Sequence, residues 1–280
     1  MLPEISLIIT TYNRPDFLEP VLLSVMRQTE LPREVIVGDD GSGPETRALI
    51  DRYRPQLGCP LKHAWIEDRG FRAGTARNAA VRMAESDYIV MIDGDIVLGR
   101  HFVADHRSLA RPGFFVAGSR GYLSPKATQR IVDTHDINIG FFRRGLRRRF
   151  ICLHLPLLGR YIRGAKELRH VRSCHLGVWR DDYIAVNGFD NDFNGWGCED
   201  SDFVQRLYHL GIKRRNAKLA ATAFHLYHPN NARNNHEANH ERLAQTIAQK
   251  RVRALRGYDQ TDGSAAEHAS GTDLSHPQQP

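Results

Sequence analysis

Short apolar runs alternate along the chain with segments whose apolar residues recur every three or four positions. Residues 5–10 read Ile-Ser-Leu-Ile-Ile-Thr, a buried strand. Leu18, Leu22 and Val25 then share one helical face, behind a start signal at Asn13 and Pro15. The same reading predicts a strand over 34–38, a helix over 45–53, a strand over 61–66, a helix over 74–84 and a strand over 88–92. Strands alternating with helices of this length predict a mostly parallel α/β sheet covered on both faces.

The second half is less regular. Strands are expected over 114–118, 175–179 and 219–224, the last ending at His225. A helix is expected over 199–210, with Phe203, Leu207 and Leu210 on one face, and another over 236–255. The stretch 137–172 is basic and broken by Gly and Pro. From Gly257 the chain is polar and rich in Gly, Ser, Asp and Pro, which predicts a disordered tail over 257–280.

At 280 residues the chain can bury a substantial core without covalent staples. Its four cysteines, Cys59, Cys152, Cys174 and Cys198, include no Cys-x-x-Cys pair, so neither a zinc knuckle nor a dense disulfide frame is suggested. A reducing, cytoplasmic compartment is expected. The first residues lack the basic start of a signal peptide, and no apolar run approaches the ~20 residues that span a bilayer. The net charge of +7 is local: residues 143–172 hold ten Lys/Arg and one acid, a balance of +9, so the remainder sums to −2.

The candidate chemistry sits at strand ends. Asp93-Gly94-Asp95 closes the apolar run 88–92, and paired hard oxygen donors there suit Mg²⁺ or Mn²⁺ carrying a phosphate. Thr10-Thr11-Tyr12-Asn13-Arg14 follows the first strand and Asp39-Asp40-Gly41-Ser42 the second. In a doubly wound sheet these three ends line one edge, where ligands bind. Neither a Gly-x-Gly-x-x-Gly turn nor a Gly-x-x-x-x-Gly-Lys-Ser/Thr loop is present, which removes the two commonest nucleotide fingerprints.

Together with Arg77-Asn78, these blocks resemble glycosyltransferase family 2, in order and spacing, over about residues 4–230. The resemblance implies the GT-A fold: a Rossmann-like, mostly parallel sheet flanked by helices, with a less regular C-terminal acceptor half. It divides a single domain into a nucleotide-sugar-binding half, 1–100, and an acceptor-binding and catalytic half, 101–256. It also implies that Thr11, Tyr12 and Arg14 line the nucleotide pocket and that Asp39 accepts from the uracil N–H. Arg69, Phe71, Ala73 and Arg77 would flank the ribose and diphosphate. Asp93 would contact ribose or metal, Gly94 would meet the donor, and Asp95 would ligate the metal.

The block Gly195-Trp196-Gly197-Cys198-Glu199-Asp200 is similar to the Trp-Gly-x-Glu-Asp motif of galactosyltransferase-type and chondroitin-polymerase-like members. Glycines admit a sugar close to the backbone, and Trp196 offers an aromatic face. Acids at a helix start are favoured as carboxylates by the dipole, and a carboxylate is what a general base requires. Asp200 is therefore expected as the base, with Glu199, Trp196 and Gly197 holding the acceptor. Ser201 stands where relatives often carry a further acid. In Phe224-His225-Leu226-Tyr227-His228, His225 first and His228 second are expected as metal ligands, and imidazole favours Mn²⁺ over Mg²⁺. His154, His170 and His175 are expected to be structural.

The basic segment interleaves arginine with Phe141, Phe142, Phe150 and Ile151. It suits an anionic membrane surface or an acidic acceptor; a solvated loop comes next, and nucleic acid is the least favoured. The expected activity is metal-dependent, inverting transfer of a hexose or N-acetylhexosamine from a UDP-sugar to a glycan or lipid-linked acceptor, on the inner face of the plasma membrane. The competing readings are a nucleotidyltransferase acting on sugar phosphates and a non-catalytic membrane- or RNA-binding protein on a transferase scaffold.

Overall fold

Strand β1 (Ile5–Thr11) is buried along its whole length. It pairs in parallel with β2 (Glu34–Asp39) on one side and β4 (Tyr88–Asp93) on the other, and β3 (Leu61–Trp65) extends the sheet beyond β2. The computed structural model describes residues 2–159, 171–195, 197–229 and 236–261. Side chains alternate across a strand, and here both faces are apolar. Leu7, Ile9, Val35, Val37, Val90 and Ile92 join one core cluster; Ile8, Ile36, Ile89 and Met91 join another.

Helices α1 (Pro15–Met26), α2 (Pro44–Tyr53) and α4 (Phe102–Leu109) cover the first face through Leu18, Leu22, Ile50 and Phe102. Helices α3 (Ala73–Arg82), α7 (Arg180–Ala185) and α8 (Glu199–His209) cover the second, with Ala80, Tyr183 and Phe203 at its centre. Beyond β4 the sheet changes direction. Strand β9 (His175–Trp179) runs antiparallel to β4 and to β6 (Phe114–Ala117), and β10 (Lys213–Asn216) closes that edge. Parallel strands with helices on both faces are the α/β arrangement expected.

A second sheet has the order β5 (Ile96–Leu98), β11 (Ala223–His225), β7 (Gly121–Leu123), β8 (Leu146–Arg147). It shares a small core with α5 (Pro125–Thr134), built on Val97, Leu123, Ile131 and Phe224. Its function is to carry His225 back beside the segment that follows β4: β11 pairs antiparallel with β5, His225 opposite Ile96.

Three expectations change. The strand expected over 219–224 is only Ala223–His225, because Leu219 and Ala221 adopt left-handed backbone (φ 59° and 44°) and Asp105 holds the Ala221 amide in a turn. The helix expected to Leu255 is α9 (His236–Ala248); the Arg251 amide closes back on Thr246, and the chain then crosses the Asn187 turn, bonding Ala254 N–H to Val186 O. The tail is not free from Gly257: Tyr258–Gln260 form a 3-10 turn, and the Tyr258 and Asp259 amides bond to Asn187. Residues 262–280 lie outside the described residues. Helix α5 was unexpected, although Ser124-Pro125 is a start signal; Ser124 Oγ accepts from the Ala127 amide. Among the described residues no helix is long and apolar enough to cross a membrane.

Candidate active site

The sheet register sets the site. Thr10 stands opposite Asp93, and Thr11 opposite Asp39. Past the strand ends the pairing continues, Gly94 N–H to Thr10 O and Asp40 N–H to Thr11 O, at 2.7 and 3.0 Å. The two acid turns are thereby locked beside the β1 end. At Gly94 a Cβ would press on Thr10 O and Thr11 Oγ1 at 3.1 Å, so the turn that separates Asp93 from Asp95 needs a small residue.

Asp95, His225 and His228 come together. Their ligand-capable atoms all lie within 4.8 Å of one another. His228 Nε2 is 3.0 Å and His225 Nε2 3.5 Å from Asp95 Oδ2, while Asp95 Oδ1 is buried without a hydrogen-bond partner. Burial pushes the Asp95 carboxyl up, but the His228 hydrogen bond and the nearby His225, His228 and Arg120 charges outweigh it and hold it below the usual range. Burial lowers His225; the hydrogen bond that His228 donates to Asp95 raises His228. One carboxylate and two imidazoles with an uncommitted oxygen fit a divalent cation, and the mixed N/O set suits manganese better than magnesium.

Behind this group lies a charged cluster. Arg77 is buried and pairs with Asp93 at 2.8 Å. It was expected to flank the ribose and diphosphate; instead its guanidinium faces inward, where Asp93, Asp200 and Glu199 hold it charged against burial. Burial, Asp95 and Asp200 push Asp93 up, and Arg77 opposes them. Burial and Asp200 push Glu199 up to about 7. Asp200 Oδ1 is buried with no hydrogen-bond partner among the described residues.

These acids open α8, whose approach is left-handed at Gly195 (φ 80°), Gly197 (φ 112°) and Cys198 (φ 70°). That path favours glycine. Helix α8 is fixed from below: Arg206 bonds Asp202 at 2.8 Å and donates to Gly188 O, and Thr246 donates to Asp202. Asn78 does the same work from α3. Its Oδ1 accepts from Tyr183 Oη and the Phe189 amide, and its Nδ2 donates to Phe189 O and Asn191 Oδ1. The segment that leads into α8 is thus anchored to the helix that carries Arg77. Trp196 lies outside the described residues.

On the donor side, Asp39 is not available as expected. It is fully buried; Oδ1 accepts from the Ser42 amide and Oδ2 meets His63 Nε2 at 2.9 Å. Asp40, one residue on, accepts from the Arg72 amide through Oδ2 and has a buried, unpartnered Oδ1. Burial pushes its carboxyl up to about 7. Gly41 (φ 94°) packs so tightly on Asp68 that a Cβ would fall 2.5 Å from its Cα.

The remaining expected residues surround this turn. Tyr12 exposes its ring and donates to Asp68. Thr11 is buried. Arg14 pairs with Asp16 and lies 3.5 Å over the Phe17 ring, near enough for its charge to reach His228. Phe71 is partly exposed and its carbonyl accepts from Gly195, joining the donor loop to the acceptor motif. Ala73 is buried at the start of α3. Arg69 points to solvent and pairs with Glu67.

Arg120, which the sequence reading passed over, lies close enough to Asp93 and Asp95 for all three charges to interact. A lone arginine between Gly118 and Gly121 carries no periodic signal. His175 is structural, as expected. It meets His106 Nε2 to Nε2 at 3.1 Å in the core, and burial lowers it to about 4. His154 pairs with Asp105; His170 lies outside the described residues.

Comparison with known proteins gives this arrangement a family. Residues 6–156 match Glycosyl transferase family 2, and residues 160–229 match the N-terminal domain of galactosyltransferase. Validoxylamine A glucosyltransferase of Streptomyces hygroscopicus subsp. limoneus is 30% identical over 227 residues, covering 75% of this chain and 49% of the relative. Hyaluronan synthase of Pasteurella multocida is 27% identical over 227 residues, 74% of this chain and 23% of that one. The chain thus spans about half the length of the first and about a quarter of the second. S. aureus TarS 1-349 in complex with UDP-GlcNAc superposes with a TM-score of 0.64 at 17% identity, over 92% of this chain and 69% of that one. A mannosyltransferase from Pyrobaculum calidifontis in complex with GDP-Man and Mn2+ superposes at 0.56 and 20%, over 89% and 63%. These neighbours are GT-A glycosyltransferases, and this chain shares their fold. On both the match and the fold, this chain belongs to glycosyl transferase family 2.

Proposed function

We propose that the protein is a metal-dependent, inverting glycosyltransferase that takes a hexose or N-acetylhexosamine from a UDP-sugar. The observation that carries this is the convergence of Asp95, His225 and His228 beside Asp93, which Arg77 binds, and the α8 acids whose charges Arg77 also feels. Two of the superposed neighbours support it, one crystallised with UDP-GlcNAc and one with GDP-Man and Mn2+.

Asp95, His225 and His228 would hold the cation. Bound there, it would offset the negative charge that develops on a departing nucleoside diphosphate. Asp40 Oδ1 accepts the imide N–H of uracil, the role first expected of Asp39, and the exposed Tyr12 ring covers the base. Arg120 and Arg14 add positive charge on the diphosphate side. Arg77 works from within: it keeps Asp93 and the α8 acids together without touching donor. Asp200 takes the proton of the acceptor hydroxyl through its uncommitted Oδ1. That hydroxyl attacks the anomeric carbon opposite the leaving diphosphate, with no covalent enzyme intermediate. Glu199, pushed up to about 7, is protonated for much of the time at neutral pH and donates to an acceptor oxygen.

The acceptor is a glycan or a lipid-linked sugar of a cell-surface polymer, a reading supported by the hyaluronan synthase relative. Thermal unfolding with UDP, with and without Mn²⁺, tests the site; a rise in Tm with UDP that grows when Mn²⁺ is added is expected. Hydrolysis of a panel of nucleotide sugars then identifies the donor. An equal rise with UDP in the presence and absence of Mn²⁺, or equal hydrolysis of UDP- and GDP-sugars, would overturn the reading.

A further inference from the structure

Between Gly140 and Gly159, Leu146 is buried, but several other large apolar side chains turn outward. Phe142 is 87% exposed, Phe150 71%, Leu157 67% and Leu158 58%. Single exposed apolar residues are ordinary, but several within seventeen positions mark an interaction surface. They are organised: Phe141 meets Phe142 and Phe150 edge-on at 5.1 and 5.5 Å, and the Arg149 guanidinium lies 5.8 Å from the Phe141 ring.

The charge is of one sign. No acid occurs from 137 to 159. Arg143 is neutralised by Asp136 at 2.7 Å. Arg144, Arg147, Arg148 and Arg149 pair with no carboxylate among the described residues, and the first three are exposed. Several surface arginines elsewhere are matched, as Arg52 is by Glu19 and Arg253 by Asp259.

We propose that residues 141–158 dock the protein on an anionic phospholipid surface. The arginines meet the headgroup phosphates, while Phe142, Phe150, Leu157 and Leu158 enter the boundary between headgroups and acyl chains. Anionic lipid supplies the counter-charge that the segment lacks, and the bilayer boundary is where exposed rings and leucines are stable. An acidic glycan would account for the arginines and leave the rings in water. The surface adjoins the active site: Arg148 lies 5.4 Å from the Tyr122 ring, which in turn lies 5.6 Å from His225. Docking would therefore hold the catalytic edge at the membrane, within reach of an acceptor carried on lipid.

Co-sedimentation of the 280-residue protein with vesicles tests this independently of any activity. Binding is expected to phosphatidylcholine vesicles containing phosphatidylglycerol, to weaken steeply with salt, and to be absent with phosphatidylcholine alone. Arg144→Gln/Arg147→Gln should lose more than tenfold in partitioning, since each basic residue near such a surface contributes about fivefold. Phe142→Ser/Phe150→Ser should lose at least as much while melting cooperatively at the wild-type temperature. Three results would each overturn the proposal: no sedimentation with anionic vesicles, equal sedimentation with phosphatidylcholine alone, or unchanged binding by the phenylalanine pair. The last would indicate a site for soluble polyanions, which dextran sulfate would then occupy equally in wild type and variant.

Discussion

The Arg77 guanidinium sits 2.8 Å from Asp93 and is enclosed by protein, while Asp93 keeps about a third of its side chain open to solvent. One partner therefore faces the core and the other the ligand edge. Desolvation would otherwise expel an arginine from this position; the charges of Asp93, Asp200 and Glu199 keep it in place. In return it offsets the repulsion of acids contributed by two distant parts of the chain, the β4 end and the first turn of α8.

Glu199 makes that balance measurable. Its carboxyl is raised from an ordinary 4.5 to about 7, so the folded state binds a proton that the unfolded state has released. Its contribution to stability is present below about 4.5 and lost as pH rises through 7. Glu199→Gln removes the loss. In EDTA, the Tm advantage of the variant over wild type should be near zero at pH 4.5 and greatest at pH 8. Arg77→Gln should do the reverse, falling further behind wild type as pH rises. Parallel pH profiles for all three proteins would count against the cluster.

Asp95 has one oxygen facing both histidines and one uncommitted, so both would be open to a cation. Asp95→Ala should abolish the manganese-dependent part of UDP binding. His228→Ala should weaken it at least tenfold, and metal-free UDP binding should survive in both. Isothermal titration with and without Mn²⁺ reads this directly, and unchanged manganese dependence would remove Asp95 from the metal site.

Asp200→Asn keeps the shape of α8 and removes only the basic oxygen. Donor binding should stay within about twofold of wild type, and kcat should fall by ~10²-fold or more. Donor hydrolysis and transfer must be measured separately, because loss of the base slows both while loss of acceptor contacts slows transfer alone. Near-normal turnover would exclude Asp200 as base.

The donor half was legible because each strand is a dense apolar run ending in polar residues, and the parallel register then aligns those ends without further information. Which of two neighbouring acids faces the ligand was not legible. Asp39 and Asp40 are chemically equal in the sequence, and they separate only when His63 on β3 captures the first. Arg77 was named through the resemblance, which carries a position along α3 but not the carboxylates that α8 brings to it. Residues 96–134 went mostly unread because their strands are three or four residues long and find their partners across large sequence gaps. Asn78 was visible as part of a motif, yet its four hydrogen bonds to Tyr183, Phe189 and Asn191 exist only in the folded chain.

The correction from Asp39 to Asp40 has its own test. Asp40 Oδ1 has no partner and its carboxyl is raised to about 7, so the ionised form, the stronger acceptor for an imide N–H, is only partly populated at neutral pH. UDP binding should therefore strengthen as pH rises from 6 to 8, with a proton released on binding. Asp40→Asn should flatten that dependence and weaken UDP at pH 8 by about tenfold, while Tm in the absence of nucleotide rises because a buried charge has gone. Asp39→Asn should instead lower Tm through the lost His63 and Ser42 bonds. The two variants are thus opposed in stability, and a pH-dependent affinity that survives in Asp40→Asn would return the base contact to another residue.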